Sequence, residues 1–191
     1  MSGGQYHVAP AAAASWRKLA DRAATESEPI RAAFVQTVLR HLESEVGGDL
    51  DVTMATLSGE PDYRVWGVTD HSGPQGRAEV RSMYERQQEI GKNRLEFDVE
   101  RVLVDDAAVV TEGTFRHAYR GAQLIADRLA ADGEVDPGQR YLVEYRALIV
   151  WVRAEDGLIA REDTYKAEPT RVVRRLQPGE LAHLGLPESQ E

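Results

Sequence analysis

Four segments with alternating apolar and polar residues dominate the second half of the chain, and this feature constrains the fold most. The segments are RLEFDVERVLV, AAVVTEGTFRHAYR, YLVEYRALIVWV and LIAREDTYKA. A period of two places successive side chains on opposite faces of a β-strand, so that one face can be buried while the other meets solvent. Successive segments of this kind predict a mainly antiparallel sheet.

Ahead of these strands the apolar residues recur about every four positions, which predicts helices. The longest helix would begin at Pro29 and end at the glycines of residues 47–48, and its apolar face contains Ile30, Phe34, Val38 and Leu42. A short helix from Asp49, a strand in DYRVWGV and a third helix in GPQGRAEVRSMYERQQEIGKN follow it. This order predicts an α+β fold in which three N-terminal helices pack on one face of a curved sheet.

Composition divides the chain into three regions. Residues 1–28 are rich in alanine, with Trp16 and Leu19 three positions apart, and we expect a helical extension that lies outside the main core. Residues 29–170 form the main domain, and residues 171–191 are expected to form a C-terminal tail. Within the main domain, the long polar connection of residues 121–139 contains AQLIADRLA, which predicts a short helix.

Charge and residue content narrow the classes of partner. A net charge of −9 and a pI near 5.1 argue against nucleic acids and anionic membranes, because both repel an acidic surface. The absence of cysteine removes disulfide and thiolate chemistry. The beginning MSGGQYHVAP does not resemble a signal peptide, and no stretch approaches the roughly 18 apolar residues of a membrane span. We therefore expect a cytoplasmic protein.

Three motifs resemble one known family. GPQGRAEVRSMY is similar to a helix of the NTF2-like superfamily, in its SnoaL-like polyketide cyclase branch. GTFRHAYRG resembles the third-strand segment of that family, and EDGLIAREDTYKA resembles its closing hairpin. The likeness extends over residues 29–168. It implies an NTF2-like cone with a closed apolar pocket, a small hydrophobic ligand, and a homodimer formed through the outer face of the sheet. Two positions differ from the family pattern: Tyr119 replaces a common histidine, and Ala167 replaces an aspartate at the end of the last strand.

A turn at residues 156–157 predicts which side chains share a face of the sheet. In the resulting register Trp151 lies opposite Glu162, and cross-strand partners share a face. That face also carries Phe115 and Tyr145, and we expect it to line the interior. The register of residues 95–104 against 107–120 stays open, because a two-residue turn at residues 105–106 would place Phe97 with the charged side chains.

The opposite face carries charged side chains that are expected to form a cross-strand ion network at the surface. Its members are Glu112, Arg116, Glu144, Arg146 and Asp163. Glu144 and Arg146 lie in the middle of an apolar strand, and we interpret them as part of this network and not as a catalytic pair.

Glu162 and His117 are the candidate catalytic residues. A carboxyl group against the Trp151 indole loses hydration, so that its pKa rises and it can act as an acid or a base near neutral pH. The alternative for Glu162 is an ion pair with Arg153. His117 could relay a proton or polarise a carbonyl group, and its alternative is a hydrogen-bonded core histidine.

Aromatic side chains and one methionine predict the ligand site, because together they would form an apolar pocket with a few hydroxyl groups. The predicted substrate-binding residues are Met54, Tyr63, Trp66, Tyr84, Phe115, Tyr119, Tyr145 and Trp151.

The sequence contains no nucleotide-binding, metalloprotease or serine-hydrolase motif, and its histidines lack metal-ligand spacing, so that we expect no cofactor and no metal. The resemblance implies cofactor-free acid–base chemistry, such as cyclisation, isomerisation, dehydration or epoxide hydrolysis. The alternative is a non-catalytic ligand-binding or assembly module, which the two departures from the family pattern and a single inward-facing carboxylate favour. An adaptor of the nuclear-transport type is a third reading.

Overall fold

The computed structural model describes residues 8–67 and 71–185, and the outer parts of the predicted extension and tail, residues 1–7 and 186–191, lie outside this range. The helices are α1 (Pro10–Ser15), α2 (Arg17–Thr25), α3 (Pro29–Gly47), α4 (Leu50–Ala55), α5 (Gly76–Glu89) and α6 (Gly121–Ala126). The strands are β1 (Leu57–Trp66), β2 (His71–Gln75), β3 (Glu96–Val104), β4 (Ala108–Arg120), β5 (Arg140–Arg153), β6 (Ile159–Lys166) and β7 (Arg171–Arg175). The predicted α+β class is confirmed.

The strands form one mixed sheet in the order β2-β1-β6-β5-β4-β3. β1 runs parallel to β6, and the other pairs are antiparallel. β7 pairs with the first part of β5, and β6 pairs with its second part. Register shifts interrupt the pairing in β1, β3 and β5, and bulges of this kind bend a strand and increase its twist. The sheet is therefore curved, with a concave face that the helices cover.

The main helix, α3, has the ends that the sequence predicts. The Glu28 carboxylate accepts hydrogen bonds from the backbone N–H groups of Ile30 and Arg31 at 2.9 and 3.1 Å, which satisfies donors that the first turn leaves free. At the other end Gly48 has a φ of 78°, a left-handed conformation that glycine adopts without steric cost. The capped helix holds Phe34, Val38 and Leu42 in the core, whereas Ile30 stays exposed.

The predicted register of the last hairpin is confirmed, since Trp151 pairs with Glu162 and Ile149 with Thr164. The sequence leaves the register between β3 and β4 open, and in the structure Phe97 pairs with Phe115. The chain reaches it by a turn at residues 106–107, after which a register shift between Val99 and Arg101 moves the inner part of β3 by one residue. The rings of Phe97 and Phe115 consequently stack inside, with centroids 4.0 Å apart.

The expectation that the alanine-rich segment lies outside the main core is wrong. Trp16 and Leu19 are 1% and 0% exposed and belong to the same buried cluster as the residues of α3 and the sheet. α1 and α2 pack against β3, and the backbone N–H of Phe97 donates to the Ser15 hydroxyl at 2.9 Å. The segment thus covers the edge strand β3 and satisfies one of its free backbone donors, which an open edge would leave unpaired.

The beginning of the predicted tail is a strand, β7. A second small cluster of buried residues joins it to β4 and β5, namely Ala118, Leu142, Leu176 and Leu184.

The short helix predicted in the long connection is α6, and backbone hydrogen bonds from Gly121 to Gln139 and from Ala122 to Pro137 hold the two ends of that connection together.

Candidate functional site

A cavity of about 380 Å³ lies between the concave face of the sheet and helices α3 and α5. This volume falls within the range of small-molecule sites. Its lining from the sequence-predicted set consists of Tyr63, Tyr84, Phe115, His117, Tyr119, Tyr145, Trp151 and Glu162. The rings of Phe115 and Tyr145 stack with centroids 5.0 Å apart and form part of the floor.

Two of the predicted ligand residues do not line this cavity. Met54 is buried in the core, where its backbone carbonyl accepts a hydrogen bond from Arg77 at 2.8 Å. Trp66 pairs with Tyr165 across the strands and stacks on it, with centroids 6.3 Å apart. Tyr63 and Trp66 are three residues apart on β1, so that strand alternation places them on opposite faces. The prediction was wrong for both residues.

Glu162 enters the cavity from β6, opposite Trp151. Burial raises its pKa to about 7, and the hydrogen bond that it accepts from the Thr164 hydroxyl at 3.1 Å limits the rise. The alternative ion pair with Arg153 does not form, since that guanidinium donates to the backbone carbonyls of Asp106 and Ala154. At neutral pH both protonation states of Glu162 are populated.

A second carboxyl group in the cavity escaped the sequence analysis. Glu45 projects from α3 with 15% of its side chain exposed, and burial together with the charge of Glu162 raises its pKa to about 8. The expectation of a single inward-facing carboxylate is therefore wrong. The helical spacing contained the signal, because Glu45 lies three and four residues after the buried Leu42 and His41 and continues their face.

A buried chain of hydrogen bonds supports this end of the cavity. His41 Nδ1 lies 2.6 Å from the Thr56 hydroxyl, its Nε2 lies 2.9 Å from the Tyr84 hydroxyl, and the Tyr84 and Tyr63 hydroxyls are 2.9 Å apart. Thr56 gives its only proton to the Thr53 carbonyl, so it must accept from Nδ1.

Burial lowers the pKa of His41 to about 3, so its neutral ring accepts from Tyr84 through Nε2. Tyr84 then accepts from Tyr63. Tyr63 therefore donates its hydroxyl proton to the Tyr84 oxygen, and the oxygen of Tyr63 can only accept a hydrogen bond from a ligand in the cavity. The His41 ring also lies 3.9 Å from Glu45, but a neutral imidazole forms no ion pair with it.

The other end of the cavity is basic and aromatic. His117 is 4% exposed, and its ring centroid lies 5.1 Å from that of Tyr119 and 5.8 Å from that of Tyr145. Burial and the charges of Lys92 and Lys166 lower its pKa to about 3, so that the ring is neutral at physiological pH. The connection before β5 also contributes to the lining, through Asp127 and Leu129.

The convex face of the sheet carries the predicted ion network, in which Glu144 and Arg146 each pair with residues of neighbouring strands. Arg146 contacts Glu100 and Glu112 at 2.7 Å each, whereas Glu144 contacts Arg116 at 2.9 Å. Asp163 is matched by Arg161 on its own strand, at 2.8 Å. Glu144 and Arg146 lie outside the cavity lining, and this face of the sheet is separated from the candidate site.

Metal-binding groups and membrane-spanning helices are both absent from the described residues. In residues 8–67 and 71–185, no group of three or more histidine, aspartate or glutamate side chains is placed to hold a metal ion. Within the same ranges no helix is both long and apolar enough to cross a bilayer.

Comparison with known proteins gives one sequence match and several structural ones. Residues 38–162 match the model of the SnoaL-like domain. No curated protein matches the sequence significantly. Among solved structures, the chain is similar to a candidate SnoaL-like polyketide cyclase from Jannaschia sp. CCS1, with 20% identity, a TM-score of 0.56, and coverage of 75% of this chain and 91% of that one.

Two other solved structures have the same fold. The epoxide hydrolase/cyclase-like enzyme SalBIII, which has a role in pyran ring formation in the polyether salinomycin, is 12% identical with a TM-score of 0.53, covering 73% of this chain and 95% of its own. Bal32a, from a soil-derived mobile gene cassette, is 14% identical with a TM-score of 0.53, covering 73% of this chain and 92% of its own. At these identities the likeness establishes the fold alone.

Proposed function

Because this chain belongs to the SnoaL-like domain family, we propose that its cavity binds a small hydrophobic molecule and that Glu45 and Glu162 catalyse a proton transfer on it. The observation that supports this proposal is the presence of two carboxyl groups in one apolar cavity, both with a pKa raised into the neutral range. Buried carboxyl groups with raised pKa values in one cavity are typical of acid–base sites.

The electrostatic coupling between the two carboxyl groups suggests their roles. In this proposal Glu162 serves as the base and Glu45 as the acid, because the charge of an ionised Glu162 raises the pKa of Glu45 and keeps its proton in place. Glu162 takes a proton from a C–H group next to a carbonyl, or from a hydroxyl, and Glu45 gives a proton to the atom that gains the electron pair. In an isomerisation or a cyclisation the substrate ends with the same number of protons. In a dehydration the hydroxyl that receives the proton of Glu45 leaves as water, and in an epoxide hydrolysis Glu162 takes its proton from the water molecule that adds to the epoxide. Exchange with solvent restores both carboxyl groups.

The aromatic residues of the cavity position the substrate in this proposal. Burial keeps the pKa of Tyr63 and of Tyr145 well above the ordinary value, so their hydroxyls stay protonated and act as hydrogen-bonding groups. His117 and Tyr119 have the same orienting role at the other end. The reaction class is a cofactor-free isomerisation, cyclisation, dehydration or epoxide hydrolysis.

The test uses three probes, a 3-ketosteroid, a cyclic terpene epoxide and an aromatic polyketide ester, each incubated with the protein and followed by mass spectrometry. One probe should bind, as a rise in melting temperature, and be converted. Glu162→Gln and Glu45→Gln should each lower kcat about 100-fold or more, because a general acid or base contributes roughly that factor. Glu144→Gln, on the opposite face of the sheet, is the matched control and should change nothing. Unchanged turnover in Glu162→Gln would contradict the assignment.

The alternative function is ligand binding without catalysis, and Tyr119 and Ala167 favour it because they depart from the family pattern. It predicts that probes bind and are not converted, and that Glu162→Gln leaves their affinity unchanged. Carboxyl ¹³C NMR separates the two functions, since a Glu162 pKa close to the ordinary value of 4.5 supports the alternative.

We further propose that the protein forms a homodimer through the outer face of the sheet, as the family resemblance implies. Leu103 and Tyr165 are 58% and 43% exposed. Sedimentation equilibrium should give twice the monomer mass, and Leu103→Glu should shift the protein to the monomer. A monomeric wild type would contradict this proposal.

A further inference from the structure

Lysine is rare in this chain, and its distribution is uneven. The sequence contains three lysines among its 23 lysine and arginine residues, and two of the three, Lys92 and Lys166, line the cavity. Lys92 is neutralised by Asp127 at 2.8 Å. For Lys166, the described part of the chain provides no carboxylate within ion-pair distance, and its Nζ lies 4.5 Å from the centroid of the Tyr145 ring. An ammonium group that is partly withdrawn from water without a counter-ion costs free energy.

His117 lies at the same end of the cavity and also lacks a partner. Neither of its ring nitrogens has a hydrogen-bond partner among the described residues, and both are out of contact with solvent. The Lys92 carbonyl is near enough to influence the ring but makes no hydrogen bond with it. A neutral imidazole has one N–H donor, and a buried donor without a partner is unfavourable unless a ligand supplies the acceptor.

We infer that Lys166 and His117 form a binding subsite for a carboxylate, so that the ligand of this cavity is a hydrophobic acid. The inference rests on the proposed function, because it names the class of molecule that the same cavity takes. The ligand carboxylate would accept a hydrogen bond from the Lys166 ammonium and one from the His117 ring. Charge-assisted hydrogen bonds of this kind are stronger than neutral ones.

The distribution of charge along the cavity fixes the orientation of such an acid. Glu162, Thr164 and Lys166 share one face of β6, and four residues of strand separate Glu162 from Lys166 by about 13 Å. A carboxylate is repelled at the end that holds Glu45 and Glu162 and attracted at the end that holds Lys166. The hydrophobic part of the ligand would then lie on the stacked rings of Phe115 and Tyr145, and its far end would meet the two glutamates.

The experiment compares 2-naphthoate with 2-naphthamide, which has nearly the same shape and no charge. Isothermal titration of the full chain near neutral pH should show the acid binding at least about 10-fold more tightly, a difference of about 1.4 kcal/mol. Lys166→Met should abolish this preference by lowering the affinity for the acid to that for the amide, and a melting temperature close to that of the wild type shows that the variant is folded. Lys18→Met is the matched control, since Lys18 lies outside the cavity lining, and it should keep the preference.

His117→Phe should lower the affinity for the acid several-fold, and by more than it lowers the affinity for the amide. Equal binding of acid and amide to the wild type, or a preference that survives in Lys166→Met, would overturn the inference. Binding of the amide alone would overturn it and leave the proposed function standing. Failure of both compounds to bind would contradict the inference and the ligand-binding part of the proposed function together.

Discussion

Replacement of Glu45 by glutamine should stabilise the protein at alkaline pH and leave its stability at acidic pH nearly unchanged. Glutamine has almost the same shape as glutamic acid and cannot ionise. The folded state holds Glu45 in a cavity that raises its pKa from 4.5 to about 8, through burial and the charge of Glu162. The substitution removes the cost of ionising this buried group.

The magnitude follows from the two pKa values. One pKa unit corresponds to about 1.4 kcal/mol, so a rise from 4.5 to about 8 corresponds to about 5 kcal/mol of differential ionisation. The folded pKa is higher than the unfolded one, so the wild type has this stability below pH 4.5 and loses it as the pH rises to about 8. Because 15% of the Glu45 side chain is exposed, we expect a gain of about 2 to 5 kcal/mol for the variant at about pH 9.

The assay is urea unfolding followed by tryptophan fluorescence, at about pH 5 and about pH 9. The free energies of unfolding of wild type and Glu45→Gln should differ little at the lower pH and by the predicted amount at the higher one. Glu155→Gln, in the exposed hairpin, is the control and should show no difference at either pH. An equal difference at both pH values would refute the burial argument. In Glu162→Gln, ¹³C NMR should show a lower pKa for Glu45, because one cause of its rise is removed.

Three other predictions concern the core and the outer face. Tyr84→Phe removes the hydrogen bonds to His41 and Tyr63 and should lower the free energy of unfolding in urea by about 1 to 3 kcal/mol. Tyr63→Phe removes one hydrogen bond and should lower it by less, so equal losses in the two variants would contradict the chain of hydrogen bonds. Trp16→Ala should lower the free energy of unfolding by about 3 to 5 kcal/mol, because Trp16 belongs to the main core. An unchanged free energy of unfolding would mean that the N-terminal helices are a separate appendage. Arg146→Met should lower the stability in urea unfolding only slightly, and less as salt is added, because exposed ion pairs contribute little. It should leave the ligand affinity unchanged, and a loss of affinity would mean that the convex face belongs to the site.

Predictions from local pattern agree with the structure in the faces of the strands, whereas the turns between neighbouring strands differ from the predicted ones. In the last hairpin Ala154 bonds Leu158, which differs from the predicted turn at residues 156–157, and a register shift beside Val152 restores the pairing of Trp151 with Glu162 that the alternation of side chains predicts. The separation of the aromatic face from the charged face followed from the same rule. The pairing between β3 and β4 could not be predicted with the same certainty, because a register shift inside β3 cancels the offset that its turn introduces.

The errors in the site have different causes. The alternation of side chains along β1 already places Trp66 on the face opposite to Tyr63, so the sequence pattern itself argues against Trp66 as a cavity residue. Met54 was assigned from residue type, which does not distinguish a core side chain from a ligand contact. The core position of Trp16 depends on α1 and α2 packing against β3, a contact between segments far apart in sequence.

The sequence by itself determined the order of the longer helices and strands, the two faces of the sheet and the presence of a carboxyl group beside an indole, because periodicity acts between neighbouring residues. It did not predict the short strands β2 and β7. The tertiary structure decided which titratable groups share one cavity. Glu45 on a helix, Glu162 on a strand and Lys166, which has no counter-ion in residues 8–67 and 71–185, acquire their chemical properties from burial and from charges on distant segments. The cost of burying a charge depends on the surroundings in three dimensions, and a linear pattern does not contain them.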